Sequence, residues 1–253
     1  MKQFFQKPNI AYSICFILFF VISCGNLGKP SKEELVQNVN QENQMIYVWS
    51  LNAILNKENT ANNFIYGGEK ENHTYQNDYQ KALKEWWDIS NRFDCKTTVE
   101  QLIAGKMHNE QFKMEFENFF TMSETEFEQT IKNETKYKAL YHQLKDNKET
   151  LQKNGIIAWD LVRASSIIAW GYNARYFNKK QAYQYSLEVG KAIQENFNSY
   201  SEMSENYLLG YFYWSNDENQ FNKRMKTRQE LLDSSSSVWN LFPFKYDMSA
   251  KGK

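Results

Sequence analysis

Proline is absent from residues 31–242, and this absence constrains the fold more than any other feature of the sequence. The chain of 253 residues has only three prolines, Pro8, Pro30 and Pro243. Loops and the edges of β-sheets commonly contain proline, whereas a helix interior excludes it because proline has no backbone N–H. Apolar residues in the proline-free stretch recur mainly at helical spacing. The sequence therefore predicts a single all-α domain, which we place at residues 33–245 and expect to end in a disordered tail over residues 246–253.

Capping pairs predict where several of the helices begin. A Ser, Thr or Asn followed three residues later by Glu or Gln can satisfy free N–H groups in the first turn of a helix. Such pairs are Ser31 with Glu34, Thr97 with Glu100, Ser123 with Glu126, Asn178 with Gln181, and Ser199 with Glu202. Residues 155–177 have almost no polar face and predict a central, buried helix. We expect Gly155 to cap the preceding helix, and residues 238–244 to fold back onto the core.

The first 23 residues have the pattern of a secretory signal peptide. Lys2 and Lys7 precede an apolar run over residues 10–23. A helix that crosses a membrane needs about 20 apolar residues, so this run is short for a permanent span. We therefore expect residues 1–23 to be removed; an uncleaved signal anchor is the alternative.

Cys24 stands where a bacterial lipoprotein is cleaved and acylated. Val21, Ile22 and Ser23 precede it and resemble a lipobox. Acyl chains such as palmitate on this cysteine would add about 0.8 kcal/mol of membrane affinity per buried methylene group. We expect a lipid anchor in the bacterial cell envelope, in the outer membrane rather than the inner one because no Asp follows Cys24. Residues 24–32 would then form a short tether.

The net charge argues against nucleic-acid binding, and the cysteine content argues against an intrachain disulfide. Loss of the signal peptide takes Lys2 and Lys7 from the 30 basic residues and none of the 30 acidic ones, which leaves a net charge of −2. A chain so balanced has no electrostatic footprint for nucleic acid. Cys15 leaves with the signal peptide, so Cys95 has no intrachain disulfide partner and is expected to be a partly buried apolar residue.

Five segments resemble a bacterial family known as domain of unknown function 1266. They are LKEWWDISNRFD (residues 83–94), IAGKMHNEQF (103–112), GIIAWDLVRASSIIAWGYNARYF (155–177), ENYLLGYFYW (205–214) and SVWNLFPF (237–244). The chain departs from the family pattern in GKMH, where Gly and His are adjacent in the family, and in SVW, where Ser-Pro-Trp is more common. The resemblance implies a helical domain and implies no activity.

Motifs for common catalytic chemistries are missing. The mature chain has three histidines, His73, His108 and His142, and none has the spacing of a metal-ligand pair. It has no Gly-x-Ser-x-Gly elbow and no glycine-rich phosphate loop. We therefore expect no metal and no cofactor, and favour a non-enzymatic protein.

One polar constellation deserves a functional hypothesis. Asp160 and Arg163 are three residues apart on the predicted buried helix, with Tyr172 and Tyr176 further along it and Tyr207 on a helix expected to pack nearby. The favoured interpretation is a buried ion pair between Asp160 and Arg163 that orients the helices. The alternative is a recognition site in which the guanidinium holds a carboxylate or phosphate.

The adjacent Trp86 and Trp87 suggest a candidate aromatic groove. Neighbours on a helix point about 100° apart, so one indole is expected in the core and the other at a groove. The favoured function is a membrane-anchored protein that binds an envelope protein or ligand. The rival is an enzyme of undescribed type that uses His108 together with Asp160, Arg163 and Tyr207.

Overall fold

A computed structural model describes residues 31–68, 75–134 and 138–251. Cys24, the signal peptide and most of the tether lie outside these ranges. The described residues are helical with no strand, as the proline pattern predicts. The helices are α1 (Lys32–Gln37), α2 (Gln41–Ser50), α3 (Ala53–Glu58), α4 (Gln76–Trp87), α5 (Arg92–Ile103), α6 (His108–Glu115), α7 (Glu117–Thr121), α8 (Glu124–Asn133), α9 (Lys138–Asp146), α10 (Lys148–Asn154), α11 (Ile157–Asn173), α12 (Lys179–Asn196), α13 (Tyr200–Ser215), α14 (Glu218–Asp233) and α15 (Val238–Leu241).

Four of the predicted capping pairs begin helices. Ser31, Ser123 and Asn178 form complete capping boxes at α1, α8 and α12, and Ser199 caps α13 by accepting the N–H of Glu202 at 3.1 Å. Gly155 ends α10 with a positive φ of 59°, a conformation that a residue without Cβ adopts at little cost.

The capping prediction at Thr97 is wrong. Thr97 lies inside α5, which already begins at Arg92. Asn91 caps that helix because its side chain accepts the N–H groups of both Phe93 and Asp94. After the cap at Ser31 the chain forms three successive helices, α1, α2 and α3, rather than one continuous helix.

The central helix of the fold is α11, as predicted. It packs against α5, α12 and α13, and twelve of its 17 residues are buried. The approach of α13 depends on Gly210, because a Cβ at that position would lie 2.3 Å from Cβ of Trp159. The close contact brings the aromatic face of α13 onto the first turns of α11.

Residues 246–251 of the expected disordered tail are instead part of the packed domain. Tyr246 and Met248 are 2% and 4% exposed, and side chains of α2 and α12 bind the tail backbone. The Nε2 amide of Gln44 donates to the carbonyls of residues 247 and 249 at 2.7 and 2.8 Å. That of Gln194 donates to the carbonyl of Tyr246 at 2.7 Å, and Tyr47 donates to that of Phe244 at 2.6 Å.

We call Gln44, Tyr47, Gln194 and the segment 244–251 the tail clamp. The prediction of disorder was wrong because it rested on the polar side chains of the tail. The tail is held through its backbone carbonyls, which accept from Gln44, Tyr47 and Gln194, and the side-chain pattern of the tail does not reveal these contacts. The stretch before the tail behaves as predicted, since Val238, Trp239 and Phe242 are buried in the core.

Candidate functional site

Two helices cap each other's amino ends beside a buried carboxylate. α6 has no cap from the side chain of Met107. Oδ2 of Asp160, on α11, instead accepts the N–H of Asn109 at 3.0 Å. In return, Oδ1 of Asn109 accepts the N–H of Ile156 at the start of α11, at 2.7 Å. Helix amino ends carry free N–H groups and partial positive charge. The exchange therefore fixes α6 against α11.

This arrangement orients His108, the first residue of α6. Its Nδ1 lies 2.8 Å from Oδ1 of Asp160. Asp160 is fully buried, whereas 20% of the His108 side chain is exposed. An ionised carboxylate can only accept, so Nδ1 carries the proton and Nε2 is the acceptor nitrogen when the ring is neutral. A histidine held in this way can accept a proton or a hydrogen bond from a ligand at Nε2.

The predicted ion pair between Asp160 and Arg163 is wrong. The carboxylate of Asp160 is occupied by His108 and by Asn109, and Arg163 forms no salt bridge with any described residue. Its guanidinium carbon lies 4.7 Å from the ring centre of Trp87 and 5.1 Å from that of Trp159. The spacing rule failed because α6 supplies a closer partner for the carboxylate.

Trp159 is the centre around which the candidate residues meet. The ring centres of His108 and Tyr207 lie 6.0 and 5.4 Å from that of Trp159, and Arg163 packs on the same indole. His108 also meets Trp87, edge to face, at 6.4 Å. The structure thus brings together His108, Asp160, Arg163 and Tyr207, which lie on three different helices.

A second arginine, Arg224 on α14, lies in the same region around Trp159. The guanidinium carbon of Arg224 lies 4.0 Å from the ring centre of Tyr211, and its Nη2 is 2.5 Å from Oε2 of Glu58. Tyr211 in turn packs against Trp159, with ring centres 6.0 Å apart. We call Trp87, Trp159, Arg163, Tyr207 and Arg224 the arginine–tryptophan cluster.

The cluster contains buried donors without acceptors. Nε1 of Trp87, Nε1 of Trp159, Nε of Arg163 and Nε of Arg224 have no hydrogen-bond partner among the described residues. Oε1 of Glu58 also has none. Buried polar atoms are normally paired, and each one left unpaired costs about 1–3 kcal/mol. These unpaired atoms are concentrated in one region of the domain, around Trp159.

Burial also changes the acid–base properties of the cluster. It lowers the pKa of the Arg163 guanidinium, and the positive charge of Arg224 acts in the same direction. Burial raises the pKa of Tyr207, although the two arginines oppose the increase. Arginine remains charged at neutral pH even so, and Tyr207 remains a neutral hydroxyl. The cluster therefore presents positive charge in a largely desolvated setting.

Three predicted site residues lie elsewhere. Tyr172 and Tyr176 are on the far end of the α11 segment, where the ring of Tyr172 packs against Tyr66 at 6.0 Å and the carbonyl of Tyr176 accepts from Arg92. Trp86 is 55% exposed, while Trp87 turns inward to the cluster. The candidate groove thus uses only Trp87 of the tryptophan pair.

Arg224, Glu58 and Trp159 were not anticipated. A signal for Arg224 does exist in the sequence of α14. Phe221, Arg224, Arg228 and Leu231 are spaced by three or four residues and share one inward face of a polar helix. Two arginines on such a face need buried partners, which α3 and α13 supply.

No group of three or more His, Cys, Asp or Glu in the described residues is arranged to hold a metal ion. Within the same ranges no helix combines the length and apolarity that a membrane span requires. A shallow depression lies away from the cluster, between α7 and α8, and is lined by residues such as Asn118, Met122 and Thr130. It contains none of the buried charged groups described above.

The fold and this site define an all-α protein with a histidine–carboxylate pair beside an arginine–tryptophan cluster. The family described as protein of unknown function (DUF1266) matches residues 82–244. That is more than half of the chain, and the chain belongs to this family, as the sequence segments predicted. The match includes every member of the cluster and both members of the histidine–carboxylate pair. No curated protein and no solved structure matches the chain.

Proposed function

We propose that this protein is a lipid-anchored binding protein of the bacterial cell envelope and that the arginine–tryptophan cluster is its ligand site. The signal-peptide pattern of residues 1–23 and the lipobox before Cys24 support the anchor. From Cys24 to Ser31 the backbone can extend by at most about 25 Å, so the anchor would hold the domain close to the membrane surface.

The observation that carries the binding function is the state of Arg163. Arg163 as a whole residue is partly exposed, and its guanidinium packs against two indoles and makes neither a salt bridge nor a hydrogen bond with the described residues. A structural arginine is normally paired, as Arg228 is with Ser204 and Ser201. An arginine that is positioned and unpaired is suited to a ligand.

Substitution of cysteines tests the anchor. In cells fed an alkyne fatty acid, Cys24→Ser should abolish labelling and leave the precursor unprocessed, because Cys24 is the cysteine directly after Val21, Ile22 and Ser23. Cys15→Ser and Cys95→Ser are matched controls and should be labelled like the natural protein. Unchanged labelling of Cys24→Ser would exclude the proposed anchor.

Intrinsic fluorescence tests the binding site, since Trp87 and Trp159 both contact Arg163. Envelope extract fractions should change the tryptophan emission of the mature protein in detergent. Arg163→Met should remove that change while the protein stays folded. A response that survives Arg163→Met would place the binding site elsewhere.

A second candidate function is catalysis by His108. The observation in its favour is the 2.8 Å contact between His108 Nδ1 and Asp160, which leaves Nε2 as the available nitrogen. In this function His108 would act as a general base and Arg163 would hold the substrate. Turnover of an identified ligand that is lost in His108→Gln, with binding retained, would favour the enzyme over the binding protein.

A further inference from the structure

We propose that the arginine–tryptophan cluster binds a small oxyanion, a carboxylate or a phosphate group, at the guanidinium of Arg163. The inference rests on the proposed binding function and gives the ligand a chemical class. It concerns what the site recognises, whether or not His108 adds catalysis.

The unpaired atoms of Arg163 and of the two indoles that contact it are all donors. Nε1 of Trp87, Nε1 of Trp159 and Nε of Arg163 are N–H groups with no acceptor among the described residues. Indole and guanidinium nitrogens cannot act as acceptors, so they can be satisfied only by a group that supplies lone pairs. An oxyanion has several on adjacent oxygens, whereas an ammonium group has none to offer.

The distribution of charge favours a negative ligand. Arg224 has Glu58 as its ion-pair partner, and Asp160 is occupied by His108 and Asn109. Arg163 is therefore the member of the cluster whose charge has no anion in contact with it. An oxyanion would supply that charge in a region where water screens weakly.

The contacts of the Arg163 guanidinium favour a ligand that presents two oxygens in one plane. The indoles of Trp87 and Trp159 approach the guanidinium of Arg163 and restrict its rotation through cation–π contacts. A guanidinium held in this way presents its N–H groups as a fork, which matches two oxygens of a carboxylate or phosphate. A lysine at this position would offer charge without the fork.

The experiment titrates the mature protein in detergent, in a buffer free of other carboxylates and phosphates. The probes are inorganic phosphate, succinate and the neutral sugar glucose at matched ionic strength. Tryptophan fluorescence and the thermal unfolding midpoint are both recorded, because a ligand that binds only the folded state raises the midpoint. Circular dichroism confirms that each variant is folded.

Three variants report on the contact. Arg163→Met should weaken oxyanion binding by about 10- to 100-fold, the usual value of a charge-assisted hydrogen-bonded contact. Arg163→Lys should retain only part of the affinity. Trp87→Phe keeps a ring and removes one donor, so we expect about a tenfold loss. Arg92→Met removes an exposed positive charge outside the cluster and should leave the affinity unchanged.

Each outcome decides the proposal. Saturable binding of phosphate or of succinate that depends on Arg163 supports it, and the stronger probe identifies the oxyanion. Saturable binding of glucose alone, dependent on Arg163, overturns the oxyanion while the binding function stands. A response equal in Arg163→Met and the natural protein, or no saturable response to either anion, also overturns it. Failure of the binding function itself would be seen separately, as an envelope-extract response that does not depend on Arg163.

Discussion

The tail clamp and the arginine–tryptophan cluster are both polar and largely buried, yet they differ in how their polar groups are paired. In the clamp, the Gln44 and Gln194 amides and the Tyr47 hydroxyl all bond to tail carbonyls. In the cluster, Arg163 and Trp159 leave donors unpaired. Paired groups contribute to stability, whereas unpaired ones cost free energy. The first region stabilises the fold, and the second is the ligand site that we propose.

The largest expected effect is in the clamp, at Tyr246. Its ring stacks on Tyr47 at 5.4 Å and meets Phe242 at 5.1 Å. Tyr246→Ala should therefore lower the free energy of unfolding by about 3–5 kcal/mol, as for other buried aromatic residues. Tyr246→Phe keeps the ring and loses only the hydrogen bond to the Leu35 carbonyl, at about 1 kcal/mol. Urea denaturation measures both, and losses under about 0.5 kcal/mol would mean an unpacked tail.

The next effect is expected at Asp160, the paired neighbour of the cluster. Asp160→Leu leaves the buried N–H of Asn109 without an acceptor and frees His108. We expect the free energy of unfolding, measured by urea denaturation, to fall by about 2–4 kcal/mol, since each unpaired group costs about 1–3 kcal/mol. Asp160→Asn retains one acceptor oxygen and should lose less. Equal losses for the two variants would show that the caps do not hold α6.

Gln194 distinguishes hydrogen bonding from packing in the clamp. Gln194→Leu should lower the free energy of unfolding by about 1–3 kcal/mol, because the carbonyl of Tyr246 loses its donor and that of Phe244 keeps only Tyr47. Gln194→Glu preserves the size of the side chain, but a carboxylate cannot donate to a carbonyl. Gln194→Glu should therefore lower the free energy of unfolding by at least as much as Gln194→Leu, as measured by urea denaturation at pH 8. If Glu were tolerated and Leu were not, packing would be the source of stability.

The smallest effect on stability is expected at Arg163. Arg163→Met gives up cation–π contacts worth about 0.5–2 kcal/mol but removes a desolvated charge and an unpaired donor, so the net change should be within about 1 kcal/mol. Arg228→Met is the matched comparison, because Arg228 donates to Ser204 and Ser201. It should cost about 2–3 kcal/mol. A larger loss at Arg163 than at Arg228 in urea denaturation would reverse the contrast between paired and unpaired polar groups.

Local signals in the sequence predicted the helices well. The caps at Ser31, Ser123, Asn178 and Ser199 and the buried character of α11 depend on residues within a few positions of one another. The fold class follows from such short-range patterns together with the missing prolines.

The candidate site was predicted only in part. His108, Asp160, Arg163 and Tyr207 were named correctly as neighbours, but their pairing was not. Asp160 and His108 are 52 positions apart, and a spacing rule along one helix cannot anticipate a carboxylate captured by the end of another.

The tail clamp also affects the order in which the chain can fold. Gln44 and the tail carbonyl that it binds at residue 247 are 203 positions apart, so α2 emerges from the ribosome long before its partner exists. Contacts at such separations form late, after most loop-closure entropy has been lost. A chain not yet synthesised to residue 247 cannot make these bonds. The clamp thereby delays completion of the native state until the C-terminal tail is available.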